Sequence, residues 1–394
     1  MHEGRCHNMN QLFYFILLFT SLIITKPLMA QKKYNLHWSV AATLPNYNND
    51  TVPQPGVAGA FAGVHNNILI IAGGANFPAG MPWEGGKKMY HNEIYILTHK
   101  SGKKYNWFTK KKFLLSQPIA YGASVSSDSG VICVGGENEQ GISTDVFAIR
   151  WDNKTAHIMF ETLPELPLPL TNVSATICGD VVYVGGGETT GAVSDKFMCL
   201  DLKNLQAGWQ QLPSIPMPVS NAVMVAAAGE KSHSLFLIGG RRKTNSGISE
   251  LYSSVLEFDL LKKAWISKTP LPYALAAGTG VVDNNHEILL FGGDRGAVFN
   301  KTEQLMVAID NEKDATKKQL LLEEKRKLQI NHPGFSDALL SFNMITDKWE
   351  QAGIIHFNTP VTTTAVKWNR CVFIISGEIR AGVRTPQILS AKIF

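Results

Sequence analysis

Six times along this chain an apolar run ends in a glycine pair or its near equivalent: residues 69–74, 132–136, 182–186, 237–240, 290–293 and 373–377. Ahead of each run lies a strand-length stretch of small residues, at 59–63, 121–125, 172–176, 221–228, 276–280 and 361–365. Behind each come a loop, an alternating strand and a last strand marked by Trp107, Trp209, Trp265 or Trp349, with Phe160 standing in once. Short strands at this even spacing, about 50 residues per unit, predict an all-β propeller of six four-stranded blades. A chain of 394 residues could hold two or three domains, but a closed ring of repeats reaches that size as one.

The sixth unit ends at Phe394 without its tryptophan strand, whereas the unpaired opening segment 34–40 carries one at Trp38. The N-terminal strand is therefore expected to complete the last blade, which would remove both free sheet edges. Small residues suit inner strands that crowd an axis, and the glycine pairs read as structural, since no helix pattern follows them to make a phosphate cradle. One unit is interrupted. Between about 294 and 335 a charged stretch predicts a helix over 314–329 and an insertion between the second and third strands of blade five. A lid, a homodimer contact and a decoration all remain open readings of it.

Residues 11–24 form a compact apolar run, short of the roughly 20 residues that a membrane span needs. With Ala30 just beyond, this is the layout of a secretory signal peptide, 1–30, cleaved after Ala30. A start at Met9 would remove Arg5, and a retained anchor is the alternative. The expected product is a propeller over 31–394, exported to the periplasm, with no stable span after cleavage. Cys133, Cys178, Cys199 and Cys371 fall in strand-like runs without metal-ligand spacing. Cys178 and Cys199, on the first and third strands of one sheet, would lie about twice 4.8 Å apart, beyond disulfide reach. The formal charge of +5 is mild, and no basic run is interleaved with aromatics, so nucleic acid is not a predicted partner.

The loops after second strands and before first strands share one face of such a ring. That places Ala75, Asn76, Glu137, Glu188, Arg241, Asp294 and Glu378 around the channel mouth, where several of the carboxylates could simply accept backbone N–H groups. The stretch 376–385 stands out, because Glu378 is followed by Arg380 and Arg384. A carboxylate that moves a proton beside a guanidinium that clamps an anion suits chemistry on an acidic small molecule. A solvated hairpin is the plainer reading. No G-x-S-x-G, HExxH or P-loop is present. Residues 126–130 half-match a sialidase Asp-box but read better as a hairpin turn. His65, His91, His286 and His356 are scattered, with His91 alone near the expected active face.

Four segments carry a resemblance: residues 56–63, 71–77, 84–90, and Gly377-Glu378 with Gly382-Val383-Arg384-Thr385. Together with Kelch-type blades, the chain resembles the N-acetylneuraminate epimerase (sialic acid mutarotase) family, in a cyclically permuted branch. The likeness covers essentially the whole mature chain, and in a closed ring a permutation moves the termini without moving the site. It implies a six-bladed Kelch-type propeller and a sialic acid substrate, with Glu378 as catalytic acid/base and Arg384 as an active-site arginine. It implies no metal or cofactor. Glu137 matches a family glutamate, and Arg380 is a helper for substrate binding. Gly187-Glu188 and the loop at Asp294 have no clear counterpart, so a related sugar acid stays open as substrate. Exchanging the anomers of a cyclic 2-keto acid needs a base at the anomeric hydroxyl, assigned to Glu378, and an acid at the ring oxygen. For that acid Glu137, Tyr90, His91 and water stay open. A non-catalytic Kelch glycan- or protein-binding module is the main alternative. A copper-radical oxidase would need a Tyr/His/Cys set that the sequence does not suggest.

Overall fold

The computed structural model describes residues 36–46, 53–100, 104–228, 233–283 and 287–393. The signal segment expected over 1–30, its cleavage point and His286 lie outside the described residues. Six antiparallel four-stranded sheets follow one another as blades. Blade one runs Phe61–His65, Ile68–Ala72, Glu93–Lys100 and Lys104–Trp107, with Phe113–Leu114 as an extra edge on its third strand. Blade two runs Ala123–Ser127, Gly130–Val134, Val146–Asp152 and His157–Thr162. Blades three, four and five repeat the order from inner strands Ser174–Cys178, Val223–Ala228 and Thr279–Asp283. Blade six takes Ala365–Trp368, Cys371–Ile375 and Gln387–Lys392 from one end of the chain and Trp38–Thr43 from the other. Trp38 lies opposite Ala391 and Thr43 opposite Gln387, so the ring closes as the unpaired segment predicts.

Each core lies between neighbouring blades. Phe61 and Ile70 of blade one, for example, pack on Val131, Cys133 and Ile149 of blade two. The recurring tryptophans latch one blade to the next. The indole N–H of Trp107 donates to Thr43 O (2.9 Å), Trp209 to Pro164 O (2.8 Å), Trp265 to Pro213 O (3.0 Å) and Trp349 to Thr269 O (3.0 Å). Phe160 keeps the aromatic bulk in blade two but has no such donor. Inner strands tolerate little bulk: a Cβ on Gly63 would sit 2.7 Å from Val131 Cγ1. They surround an axial cavity of about 440 Å³.

The glycine pair turns the chain out of the second strand. Gly135 and Gly136 hold φ of 60° and 113°, and a Cβ on Gly135 would meet Leu170 O at 2.3 Å. Blade six puts Ser376 at the first position, at φ 51°. Its buried hydroxyl accepts from Val57 N–H (2.9 Å) and donates to Thr385 O (2.6 Å), tying blade six to blade one across the closure. The four described cysteines are free, as their spacing predicts.

The insertion of blade five holds two helices, α1 (Ala297–Asn311) and α2 (Ala315–Ile330), between Glu287–Phe291 and Ala338–Asn343. The sequence reading anticipates only α2, whose N-cap Asp314 accepts from Lys317 N–H. It misses α1, which begins three residues after Asp294 and is fastened to blade four. The Glu303 carboxylate accepts from the N–H (2.6 Å) and hydroxyl (2.9 Å) of Ser249. No helix among the described residues is long and apolar enough to cross a membrane.

Candidate active site

The residue after each glycine pair bridges to the residue immediately before a left-handed position that leads into the blade's first strand: Ala75 to Ala58, Glu137 to Ala120, Glu188 to Thr171, Arg241 to Ser220, Asp294 to Ala276 and Glu378 to Val361. These six positions are therefore equivalent and form one ring, as expected. Just inside it a second ring is closed by hydrogen bonds alone. Gly59, Tyr121, Asn172, Asn221, Ala277 and Thr362 all hold φ between 51° and 66°. Each N–H donates to the carbonyl of the same position in a neighbouring blade, at 2.7–3.0 Å, until the circle returns to its start.

Glu378 and Arg384 face each other across a short ribbon, Glu378–Arg380 with Val383–Arg384, that continues blade six beyond the glycine turn. Arg384 Nη1 lies 2.9 Å from Glu378 Oε2, with the side chains 5% and 20% exposed. Glu378 Oε1 also accepts from Gly382 N–H at 3.0 Å. Burial pushes the Glu378 carboxyl above its ordinary pKa; Arg384 and the Gly382 N–H oppose this, and the Asp294 carboxyl adds to it. Arg384 Nη2 reaches Tyr121 Oη at 3.4 Å, and its guanidinium stacks 4.8 Å from the Phe77 ring. Its Nε and Nη1 are buried without a hydrogen-bond partner, because the contact to Glu378 is close but off line. A buried guanidinium with two unused donors is costly unless something else accepts from them.

The wall beyond comes from blades one and two. Lys88 Nζ lies 3.1 Å from Glu137 Oε1 and 4.8 Å from the Tyr121 ring centre. Tyr90 Oη donates to the same Glu137 oxygen at 2.7 Å. Burial works against the Lys88 charge, but Tyr121, Glu137 and Tyr90 outweigh it and hold its pKa above the ordinary value. Burial and the bond to Glu137 push Tyr90 up to about 12. The Glu137 side chain is thus engaged by a cation and a phenol, and not by the backbone N–H groups that the sequence leaves open for it.

On the opposite arc Glu188 Oε1 lies 3.1 Å from Arg241 Nη2 and accepts from Ser220 Oγ at 2.7 Å. Arg241 Nη1 donates to Ser249 Oγ (3.3 Å), and its guanidinium packs 5.0 Å from the Phe299 ring of α1. Asp294 accepts from Gly296 N–H at 2.7 Å. Burial raises its pKa against the pull of that N–H, of His332 and of Arg241. His332, at the far end of the insertion, is buried, which lowers its own pKa.

His91, an open choice for the ring-oxygen acid, is buried in the wall of blade one. Its Nε2 is 2.9 Å from Asn76 Oδ1 and its Nδ1 3.5 Å from Glu93 Oε2. Asn76 in turn donates to Gly56 O at 2.7 Å. That chain holds the segment under Phe77. Arg380 is exposed on its ribbon, and the register is irregular between Glu378 and Arg380. In a regular strand the two would share a face; here Arg380 stands opposite Val383 while Glu378 stands opposite Arg384.

Two residues escaped the sequence reading. Tyr121 is the one bulky side chain in the left-handed ring, and a Cβ on Gly59 would touch its Cδ1 at 2.5 Å. The side chain crosses blade one to reach Arg384 of blade six. A Cβ-bearing residue held in this region costs about 1 kcal/mol or more. Lys88 was passed over as one of two lysines in 84–90. A single large residue among small ones at position 121 was the available signal.

The description "N-acetylneuraminate epimerase" belongs to the family model that matches residues 24–158 and 163–394 of the chain. Proteins with that name are similar in sequence. One from Haemophilus influenzae is 27% identical over 233 residues, 59% of this chain and 60% of the relative. One from Brucella melitensis is 25% identical over 258 residues, 64% of each. One from Salmonella typhimurium is 28% identical over 246 residues, 58% of each. The chain thus spans about 60% of the length of the first of these relatives. Among solved structures, that of YjhT superposes with a TM-score of 0.60 at 16% identity, covering 89% of this chain and 96% of the other, a likeness of fold.

Proposed function

The chain belongs to the N-acetylneuraminate epimerase family, and from that membership we propose that it interconverts the α and β anomers of N-acetylneuraminate. The carrying observation is the buried Glu378–Arg384 pair, with two guanidinium donors unused and the carboxyl held above its ordinary pKa. Arg384 accepts the C1 carboxylate of the substrate through those donors, in the forked geometry that guanidinium and carboxylate share. Glu378 takes the proton of the anomeric hydroxyl and returns it to the carbonyl oxygen on reclosure. A pKa above the ordinary carboxylate value suits a group that must both take and give a proton. Phe77 and Tyr121 supply apolar faces for the sugar ring, and Lys88 adds positive charge for an acidic substrate.

A cyclic permutation is part of this reading, and it would stop a collinear alignment where the blade order changes. Export to the periplasm, through the apolar run at 11–24, is part of the same reading.

Freshly released α-N-acetylneuraminate, followed by proton NMR with and without the purified protein, tests the proposal. Catalysis of the exchange by about 10²–10⁴-fold is expected from general acid–base help. An unchanged approach to equilibrium, with the ligand retained in equimolar complex, would identify a binding module instead.

A further inference from the structure

Four acidic residues occupy the equivalent ring positions: Glu137, Glu188, Asp294 and Glu378. Three of them have a cation within 4 Å: Lys88 for Glu137, Arg241 for Glu188 and Arg384 for Glu378. Among the described residues Asp294 has none, and its carboxylate accepts from Gly296 N–H at 2.7 Å. It stands in blade five, directly beside Glu378 of blade six in the ring, and partly buried. We infer that Asp294 is the second acid–base residue of this site, the group that protonates the sugar ring oxygen as the ring opens.

This inference rests on the mutarotase reading and supplies the acid that reading lacks. A carboxyl without a counter-ion in a partly buried position favours its neutral form, which is the form that can donate. The raised pKa of Asp294 agrees with that state. The groups that face it are Glu378, whose own pKa the Asp294 charge raises, and Arg241 and His332, which favour the Asp294 anion. Each carboxylate accepts from one backbone N–H, and Glu378 differs in having Arg384 at 2.9 Å to support its anion. Two carboxyls in different surroundings thereby take the base and acid roles. The other candidates are committed elsewhere: Glu137 to Lys88 and Tyr90, and His91 to Asn76 and Glu93.

In the step itself Glu378 removes the proton from the anomeric oxygen. The C2–O bond to the ring oxygen breaks as the C2 carbonyl forms, and the ring oxygen takes the proton of Asp294. On reclosure that hydroxyl attacks the other face of the carbonyl and returns its proton to Asp294, while the carbonyl oxygen recovers the proton held by Glu378. Protons and electron pairs balance, and no co-reactant is required.

The experiment compares wild type, Asp294→Asn and Asp294→Glu in the anomer assay across pH, with melting temperatures measured on the same samples. Asn keeps the shape and the contact to Gly296 but cannot donate as an acid. The expected result is a loss of about 10²-fold or more in Asp294→Asn, disappearance of the alkaline limb of its pH–rate profile, and partial recovery in Asp294→Glu. Active wild type with Asp294→Asn within threefold of it, or with both limbs of the profile intact, overturns the inference and leaves the proposed function standing. If Asp294→Asn melts early, a Glu variant as slow as it is counts against the role. Inactive wild type overturns the function and this assignment together.

Discussion

Two glutamate–arginine pairs sit on the same ring, and they are built to opposite ends. Glu188 and Arg241 come from adjacent blades, 3.1 Å apart; Ser220 Oγ donates to the same Glu188 oxygen, and Arg241 Nη1 donates to Ser249 Oγ. Phe299 of α1 covers the guanidinium. Glu378 and Arg384 come from the two strands of one ribbon, 2.9 Å apart, yet Arg384 keeps two buried donors unused. The first pair is a joint between blades three and four that its neighbours complete. On the proposed function, an acceptor brought by the substrate completes the second. Charge and residue type do not distinguish them; hydrogen-bond completeness does.

The largest effect that follows is on rate. Glu378→Gln should lower catalysed anomer exchange by about 10²–10⁴-fold, to near the unassisted rate, in the NMR assay. Next comes Arg384→Lys, which keeps the charge but loses the fork. It should raise KM about tenfold with a smaller change in kcat, read from initial rates over substrate concentration. Glu188→Gln acts on the joint: about 1–2 kcal/mol of stability lost in urea unfolding, with exchange within about threefold of wild type. A rate collapse in Glu188→Gln would erase the distinction between the pairs.

The smallest effect is on stability against pH. The folded-state pKa of Glu378 lies above its unfolded value, so the folded state binds the extra proton between those two pH values. Glu378 therefore makes its best contribution at acid pH and loses it as pH rises from the usual carboxylate range through the folded pKa. Glu378→Gln mimics the protonated form. Its melting temperature relative to wild type should rise on going from pH 4 to pH 8, by scanning calorimetry at each pH. A flat difference would mean that the carboxyl is not held in a proton-favouring site.

Local chemistry made much of this legible in sequence. The glycine pairs located the six ring positions, and Trp38 located the closing strand, because both reflect constraints that each blade repeats. The closeness of Glu378 and Arg384 was readable for the same reason, since they follow such a turn within one ribbon. The contacts that define the wall were not. Lys88 meets Glu137 from another blade, 49 residues away, and Tyr121 reaches Arg384 across 263 residues and the closure of the ring. Strand periodicity would place Arg380 with Glu378, whereas the register shift between them sets Arg380 opposite Val383 and Glu378 opposite Arg384. The distinctive feature of Asp294, a carboxyl with no cation within 4 Å among the described residues, depends on which partners the neighbouring blades deliver. No local pattern encodes that.

The most direct test runs three proteins side by side on α-N-acetylneuraminate under proton NMR: wild type, Glu378→Gln and Glu188→Gln. The account predicts rapid exchange in wild type, nearly the same rate in Glu188→Gln, and the protein-free rate in Glu378→Gln. Equal rates in all three, or a greater loss in Glu188→Gln than in Glu378→Gln, would contradict it.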